Sequence, residues 1–255
     1  MFRVVIPARH ASSRLPGKPL LPIAGEPMIL HVQRLALRSG AAEVVIATDD
    51  TRIRDACRAA GAAVEMTAAD HASGTDRIAE IAARRGWTAE DIVVNVQGDE
   101  PLLPPILIGQ VAGLLTATPG AAIATLATPI LSEREFLDPN VVKVVTRPDG
   151  MALYFSRAPI PWDRDGGGDM TAGATRLHGC RRHLGIYAYR VAALLALAST
   201  APVEIERRER LEQLRALAIG LAIVVADASE LPGPGVDTPA DLARAEAILR
   251  EAARR

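Results

Sequence analysis

Aromatic side chains are scarce in this 255-residue chain, at 3% of the total. That is too few for a platform that stacks single-stranded bases. No excess charge of either sign is present. A formal net charge of −1 gives no general pull toward nucleic acid or an anionic membrane surface. Two cysteines, Cys57 and Cys180, cannot build a disulfide framework, and a reducing cytoplasm is expected. Cys180 lies in "LHGCRRH" at 177–183, but no second Cys/His cluster completes a zinc ligand set, so a structural or ligand-binding role is expected there. No stretch approaches the roughly 20 consecutive apolar residues of a membrane span. The apolar run at the amino terminus is too short for a signal peptide.

Also lacking is a complete phosphate loop of the Walker type. "IPARHASSRLPGKPL" at 6–20 ends in Gly17-Lys18, but Ser12 stands where that motif has its first glycine and Pro19 where it has Ser or Thr. The loop is still rich in cations. Arg9 and Arg14 are forked donors suited to phosphate oxygens, and Lys18 is a mobile point charge. A solvated basic loop would look the same in isolation. Its position after a strand favours phosphate.

What is present in quantity is short apolar runs alternating with helical stripes. "RVVI" (3–6), "EVVIA" (43–47) and "DIVVNV" (91–96) read as buried strands. Met28, Ile29, Val32, Leu35 and Ala36 predict one helix closed by Gly40, and Ile53, Ala56, Cys57 and Ala60 a second closed by Gly61. This βαβα order predicts one Rossmann-like α/β domain over 1–255, with a mainly parallel sheet and helices on both faces. Ligands bind such sheets beyond the carboxyl ends of the strands, where "PARH", "TDD" and "QGDEP" all fall. An excursion from the core sheet is predicted at about 127–215, with 163–173 an exposed loop. The chain then returns to a strand, "LAIVVA", and a helix, "TPADLARAEAILREAARR".

Several side chains have both a structural and a chemical reading. Asp99 follows a strand, where aspartate often only forms a turn; magnesium bound to a triphosphate needs one or two carboxylates, and Asp99 is placed to be one. Thr238 and Asp241 predict a capping box with Pro239 at the first helical position, which leaves Asp237 without capping duty. Ser73 and Asp76 fit a second capping box; Ser73, Arg77 and nearby backbone N–H groups could also serve a ligand's ring edge. His183, Gly185, Tyr187 and Tyr189 fall on one strand face that suits either a polar pocket or a satisfied histidine. Arg157 ends "ALYFSR" and suits a carboxylate of either a ligand or the surface. Glu212 and Gln213 lie off the stripe of Leu211, Leu214, Leu217 and Ala218, facing solvent or sugar hydroxyls.

Taken together, the blocks "SSRLPGKPL", "ADHASGTDR", "VNVQGDEP", "ALYFSRAPIPWDRD", "RHLGIYAYR", "LEQLRAL" and "GVDTPADL" resemble, in order and over nearly the whole chain, the 3-deoxy-manno-octulosonate cytidylyltransferases, or CMP-KDO synthetases. The resemblance implies a Rossmann-like fold and a magnesium-dependent homodimer. It also implies transfer of CMP from CTP to the eight-carbon acid sugar KDO, for lipopolysaccharide assembly. By motif match, Arg9, Arg14 and Lys18 would hold the triphosphate; Ser73, Gly74 and Arg77, with Gln97 nearby, would read cytosine. Asp99 and Asp237 would bind magnesium. Arg157, His183, Tyr187, Glu212 and Gln213 would face the sugar. Arg14, Lys18 and Asp99 are the expected catalytic residues. The excursion would form the sugar site and dimer contacts. His10, where the family has a bulky residue, and the 165–182 loop depart from the pattern.

Overall fold

The structure is a computed structural model that describes residues 1–11, 15–164 and 177–252. Most of the chain builds one sheet with the strand order β11-β7-β10-β6-β1-β4-β5. Its strands are β1 (Phe2–Ala8), β4 (Glu43–Thr48), β5 (Val64–Met66), β6 (Ile92–Asn95), β7 (Ile123–Pro129), β10 (Arg181–Arg190) and β11 (Ile223–Asp227). A small hairpin, β2 (Pro22–Ile23) and β3 (Glu26–Pro27), stands apart, while β8 (Lys143–Thr146) pairs β10 and β9 (Ala152–Ser156) pairs β8. β1 runs parallel to β4 and β6, and β11 to β7; β10 is antiparallel to both of its neighbours, β6 and β7.

Side-chain alternation sends the two strand faces into two cores. Val4, Ile6, Val94, Leu126 and Ala188 pack on one side with α1 (Met28–Leu37), α2 (Thr51–Ala59) and α4 (Pro105–Ala117). Val5, Val93, Ile123 and Tyr189 pack on the other with α3 (Gly74–Arg84), α6 (Val191–Ala198) and α8 (Gln213–Ala218). Helices therefore cover both faces, as the sequence predicts. The remaining helices are α5 (Glu133–Leu137), α7 (Glu204–Glu209) and α9 (Pro239–Ala252).

The excursion is narrower than expected. β10, inside 127–215, lies in the middle of the main sheet, and β8 and β9 extend that same sheet beside the main path through the β8–β10 pairing. β10 also carries two extra residues against β7: Leu184 faces Leu126 and Tyr187 faces Thr125. Because the insertion is even, the alternation of the strand survives it. Thr125 Oγ1 donates to the Ile186 carbonyl (2.7 Å) and fastens the irregularity. Of the predicted 163–173 loop, residues 165–173 lie outside the described residues.

Candidate active site

β1 and β6 are adjacent and parallel, so the segments that follow them leave the sheet at the same edge. Gly98 allows them to approach. A Cβ there would stand 3.0 Å from the Pro7 carbonyl oxygen, a backbone atom that cannot swing away. The amino end of α3 closes the third side, with Ser73 and Asp76 forming the expected capping box and Gly74 against the Pro7 ring.

Asp237 reaches this edge through backbone pairing. Val236 N–H donates to the Asp99 carbonyl (2.9 Å) and Gly233 N–H to the Leu102 carbonyl (3.4 Å). The two glycines permit that approach: a Cβ on Gly233 would lie 2.6 Å from the Leu102 Cβ, and one on Gly235 2.7 Å from Glu100 Oε1. Val236 and Ala245 of α9 then share a small core with Leu15, Ile23 and Met28. Thr238 and Asp241 exchange the predicted capping bonds, Thr238 N–H to Asp241 Oδ2 (2.9 Å) and Asp241 N–H to Thr238 Oγ1 (3.2 Å).

Lys18 joins the assembly from the opening loop. Gly17, at φ +68°, turns the chain left-handed into the short 3-10 turn Lys18–Leu20. Lys18 Nζ donates to Asp99 Oδ2 (2.6 Å) and to Asp237 Oδ1 (3.0 Å). Burial works against the ammonium, but the two carboxylates outweigh it and hold the Lys18 pKa above its ordinary value. These three residues line a cavity of about 290 Å³ together with Arg9, Ser73, Gly74, Arg77 and Gln97. Of the residues expected to hold nucleotide, only Arg14 is missing from this wall; it lies outside the described residues.

Arg77 lines the cavity but is spoken for. It is 3% exposed, and its guanidinium donates to Asp49 Oδ2 (2.5 Å), Thr67 Oγ1 (2.8 Å) and the Ala68 carbonyl (2.9 Å). Such a side chain shapes the wall, tying α3 to the end of β4.

A second cavity of about 200 Å³ shares Gly74 and Gln97 with the first and is lined by Tyr187, Glu212 and Gln213. Thr75, Asn95 and Tyr189 complete it; the sequence places Tyr189 on the same possible pocket face as Tyr187 but gives no site role to Thr75 or Asn95. Asn95, a polar residue inside an apolar strand, and Tyr189, in register with Tyr187, were the available signals. The Thr75 hydroxyl donates to Glu212 Oε1 in a short contact. Burial raises the Glu212 pKa against the opposing pull of the Thr75 and Ser73 hydroxyls. Burial likewise raises the pKa of both Tyr187 and Tyr189, keeping the phenols protonated as donors.

His183 and Arg157 sit elsewhere. His183 borders a smaller space of about 90 Å³ that it shares with Gln97 and Glu100. Its Nε2 is 2.9 Å from Thr125 Oγ1, and its ring meets Phe155 edge-on at 5.0 Å. The same Thr125 hydroxyl also reaches the Leu184 (3.1 Å) and Ile186 (2.7 Å) carbonyls. Burial pushes the His183 pKa down to about 3 and keeps the imidazole neutral. Arg157 lines none of these three cavities. Its Nε donates to the Glu209 carbonyl (2.7 Å) and its Nη1 to the Pro139 carbonyl (2.8 Å), anchoring β9 to the end of α7.

A family model described as cytidylyltransferase matches residues 3–223. The chain belongs to that family. Within it, the chain is 57% identical over 249 residues to the 3-deoxy-manno-octulosonate cytidylyltransferase of Thioalkalivibrio sulfidiphilus (strain HL-EbGR7), covering 98% of this chain and 99% of the relative. It is 57% identical over 249 residues to the protein of that name from Halorhodospira halophila (strain DSM 244 / SL1), covering 98% and 96%. For the Pseudomonas syringae pv. syringae (strain B728a) protein of the same name, identity is 54% over 251 residues, covering 97% and 98%. A solved structure of CMP:2-keto-3-deoxy-manno-octonic acid synthetase complexed with CTP superposes with a TM-score of 0.88 at 41% identity, covering 99% of this chain and 100% of that one. The Rossmann-like cytidylyltransferase fold expected from the sequence is thereby established for this family member.

Among the described residues, no cluster of three or more His, Cys, Asp or Glu side chains is arranged for a metal. Asp99 and Asp237 form a two-carboxylate set, and one cationic nitrogen already fits between them. That donor set suits magnesium, which takes one or two carboxylates and completes its shell with water and phosphate oxygens.

Proposed function

We propose that this protein transfers CMP from CTP to KDO, giving CMP-KDO and pyrophosphate for lipopolysaccharide assembly. The observation that carries the reading is the Asp99–Lys18–Asp237 cluster at the carboxyl edge of a sheet, inside a polar cavity, in a chain 41% identical to a synthetase complexed with CTP. The anomeric hydroxyl oxygen of KDO attacks the α-phosphorus in line. The bond from that phosphorus to the bridging oxygen breaks, pyrophosphate leaves with the electron pair, and the hydroxyl proton passes to solvent. Rate enhancement comes from positioning and charge neutralisation.

Arg9, Arg14 and Lys18 neutralise the triphosphate in this reading, while Ser73 and the start of α3 receive the nucleotide beside Gln97. Lys18 must exchange its two acids for phosphate oxygens to do so. Asp99 and Asp237 would hold magnesium, which when bound supplies positive charge at the phosphates and acidifies a ligating hydroxyl. Tyr187, Glu212 and Gln213 supply hydroxyl-binding groups for the sugar, supported by the cavity they share. His183 contributes as a neutral, fixed wall and Arg157 through the anchoring of its loop. A cytoplasmic homodimer belongs to the same reading. Cys57 and Cys180 are both buried, no described helix is long and apolar enough to cross a membrane, and Leu153 and Trp162 leave apolar surface exposed.

The test is pyrophosphate release from CTP with KDO, against the other nucleoside triphosphates and against sialic acid. Release that requires KDO and prefers CTP is the expected result; release with sialic acid alone would move the assignment to a neighbouring acid-sugar synthetase. Asp99→Asn and Asp237→Asn should each raise the magnesium requirement sharply.

A further inference from the structure

The two acids and the lysine are already joined by charge-assisted hydrogen bonds before any substrate arrives. Lys18 is 8% exposed and its backbone is pinned, its N–H donating to the Leu15 carbonyl (3.1 Å) and its carbonyl accepting from Leu21 (3.2 Å). Nζ reaches Asp99 (2.6 Å) and Asp237 (3.0 Å) together. The side chains of Asp99 and Asp237 are 37% and 53% exposed, against 10% for Lys18. A cation from solvent thus reaches the acids from the open side and meets an ammonium on the other. The ammonium offsets one of the two carboxylate charges, which weakens the attraction for a hydrated dication that gives up water reluctantly. Bringing the dication onto the same oxygens either leaves like charges within a few ångströms or ejects the ammonium.

We infer that Lys18 makes cation binding at Asp99 and Asp237 conditional on nucleotide: the ammonium competes with the metal until a triphosphate offers it other oxygens. The inference rests on the reading of the acid pair as the cation site. It gives Lys18 a second role, setting the order in which metal and nucleotide bind, beside its role on phosphate. Linkage makes the effect reciprocal, so a cation on the acids frees Lys18 and strengthens nucleotide binding by the same factor.

The experiment measures Mn²⁺ binding to the whole protein without nucleotide, from the electron-paramagnetic-resonance signal of the free ion. Lys18→Met should tighten Mn²⁺ binding by roughly tenfold or more, because a neighbouring positive charge is gone. Lys18→Arg, which keeps the charge, should bind Mn²⁺ much as the parent does. Adding Asp99→Asn to Lys18→Met should abolish the gain. Lys18→Gln runs in parallel, and thermal unfolding of every variant verifies that the fold is retained. Unchanged or weaker Mn²⁺ binding in the folded Lys18→Met or Lys18→Gln protein overturns the inference, as does a gain that survives Asp99→Asn. Acid variants that leave the magnesium titration of pyrophosphate release unaltered would reject the acid pair as the cation site. If those variants lose their magnesium response while the lysine variants gain no affinity, the competition alone is rejected.

Discussion

His183 shows how a single buried side chain can be both wall and pH sensor of stability. Its pKa is about 3 in the folded chain against an ordinary 6.5. As pH falls, the unfolded chain therefore takes up the proton first. The stability tied to the neutral ring is whole above pH 6.5 and is lost progressively down to about 3. Glu100 runs the other way. Burial, with Asp99 beside it, lifts its pKa to about 7 from 4.5, so its contribution declines as pH rises through that window. Comparing the parent with His183→Gln cancels the Glu100 slope. The gap in urea-unfolding free energy should narrow from pH 7 to pH 4; a gap that stays constant would show that the imidazole is not protected. Thr75 makes a different prediction. Thr75→Val deletes the donor to Glu212 and should raise the KM for the sugar acid several-fold with little change for CTP, whereas Thr75→Ser should restore it. Equal loss for both substrates would mean that Thr75 only holds up α3.

At the scale of elements, what matters is how the 233–236 segment is laid along 99–102. Gly233→Ala puts a Cβ against the Leu102 Cβ, at 2.6 Å in the present backbone, and neither atom is the free end of a flexible chain. The segment should shift, carrying Asp237 off Asp99. The expected result is a fall in turnover of about 100-fold or more, the usual cost of losing a preorganised charge at the reacting centre, with little loss of helical circular dichroism. Near-normal turnover would show that the backbone pairing does not place the acid. This is also where the sequence was least readable. Asp99 and Asp237 lie far apart in the sequence, and nothing in their local spacing announces the backbone pairing between their neighbourhoods. Asp237 was singled out because the capping box of α9 left it unemployed, and that box is present. Strand and helix patterns read well because burial on two faces imposes them directly, as in β1, β4 and β6. For Arg157 the sequence leaves two readings open, since a guanidinium after a strand looks the same whether it meets a ligand or carbonyls such as those of Glu209 and Pro139. The helical stripe at 211–218 was half right. Leu211 and Leu214 are buried, but Gln213 is buried and Ala218 exposed, because α8 begins only at Gln213 and turns that residue toward the cavity.

Across the whole molecule, β8 and β9 lie off the main path of strands and join it through β10. Leu131, Leu137, Leu153 and Trp162 are the large exposed apolar residues of that region. If they lie between two copies, Leu153→Asp should shift the sedimenting species from two chains to one. A parent protein that sediments as a single chain would remove the homodimer from the proposed function.

The small core of Leu15, Ile23, Met28, Val236 and Ala245 ties the loop that carries Lys18 to a stretch lying beyond the last strand of the sheet, β11. A variant cut after β11 would keep every strand, yet it would lose both the Asp237 carboxylate that meets Lys18 and the apolar contacts that seat the lysine's own loop.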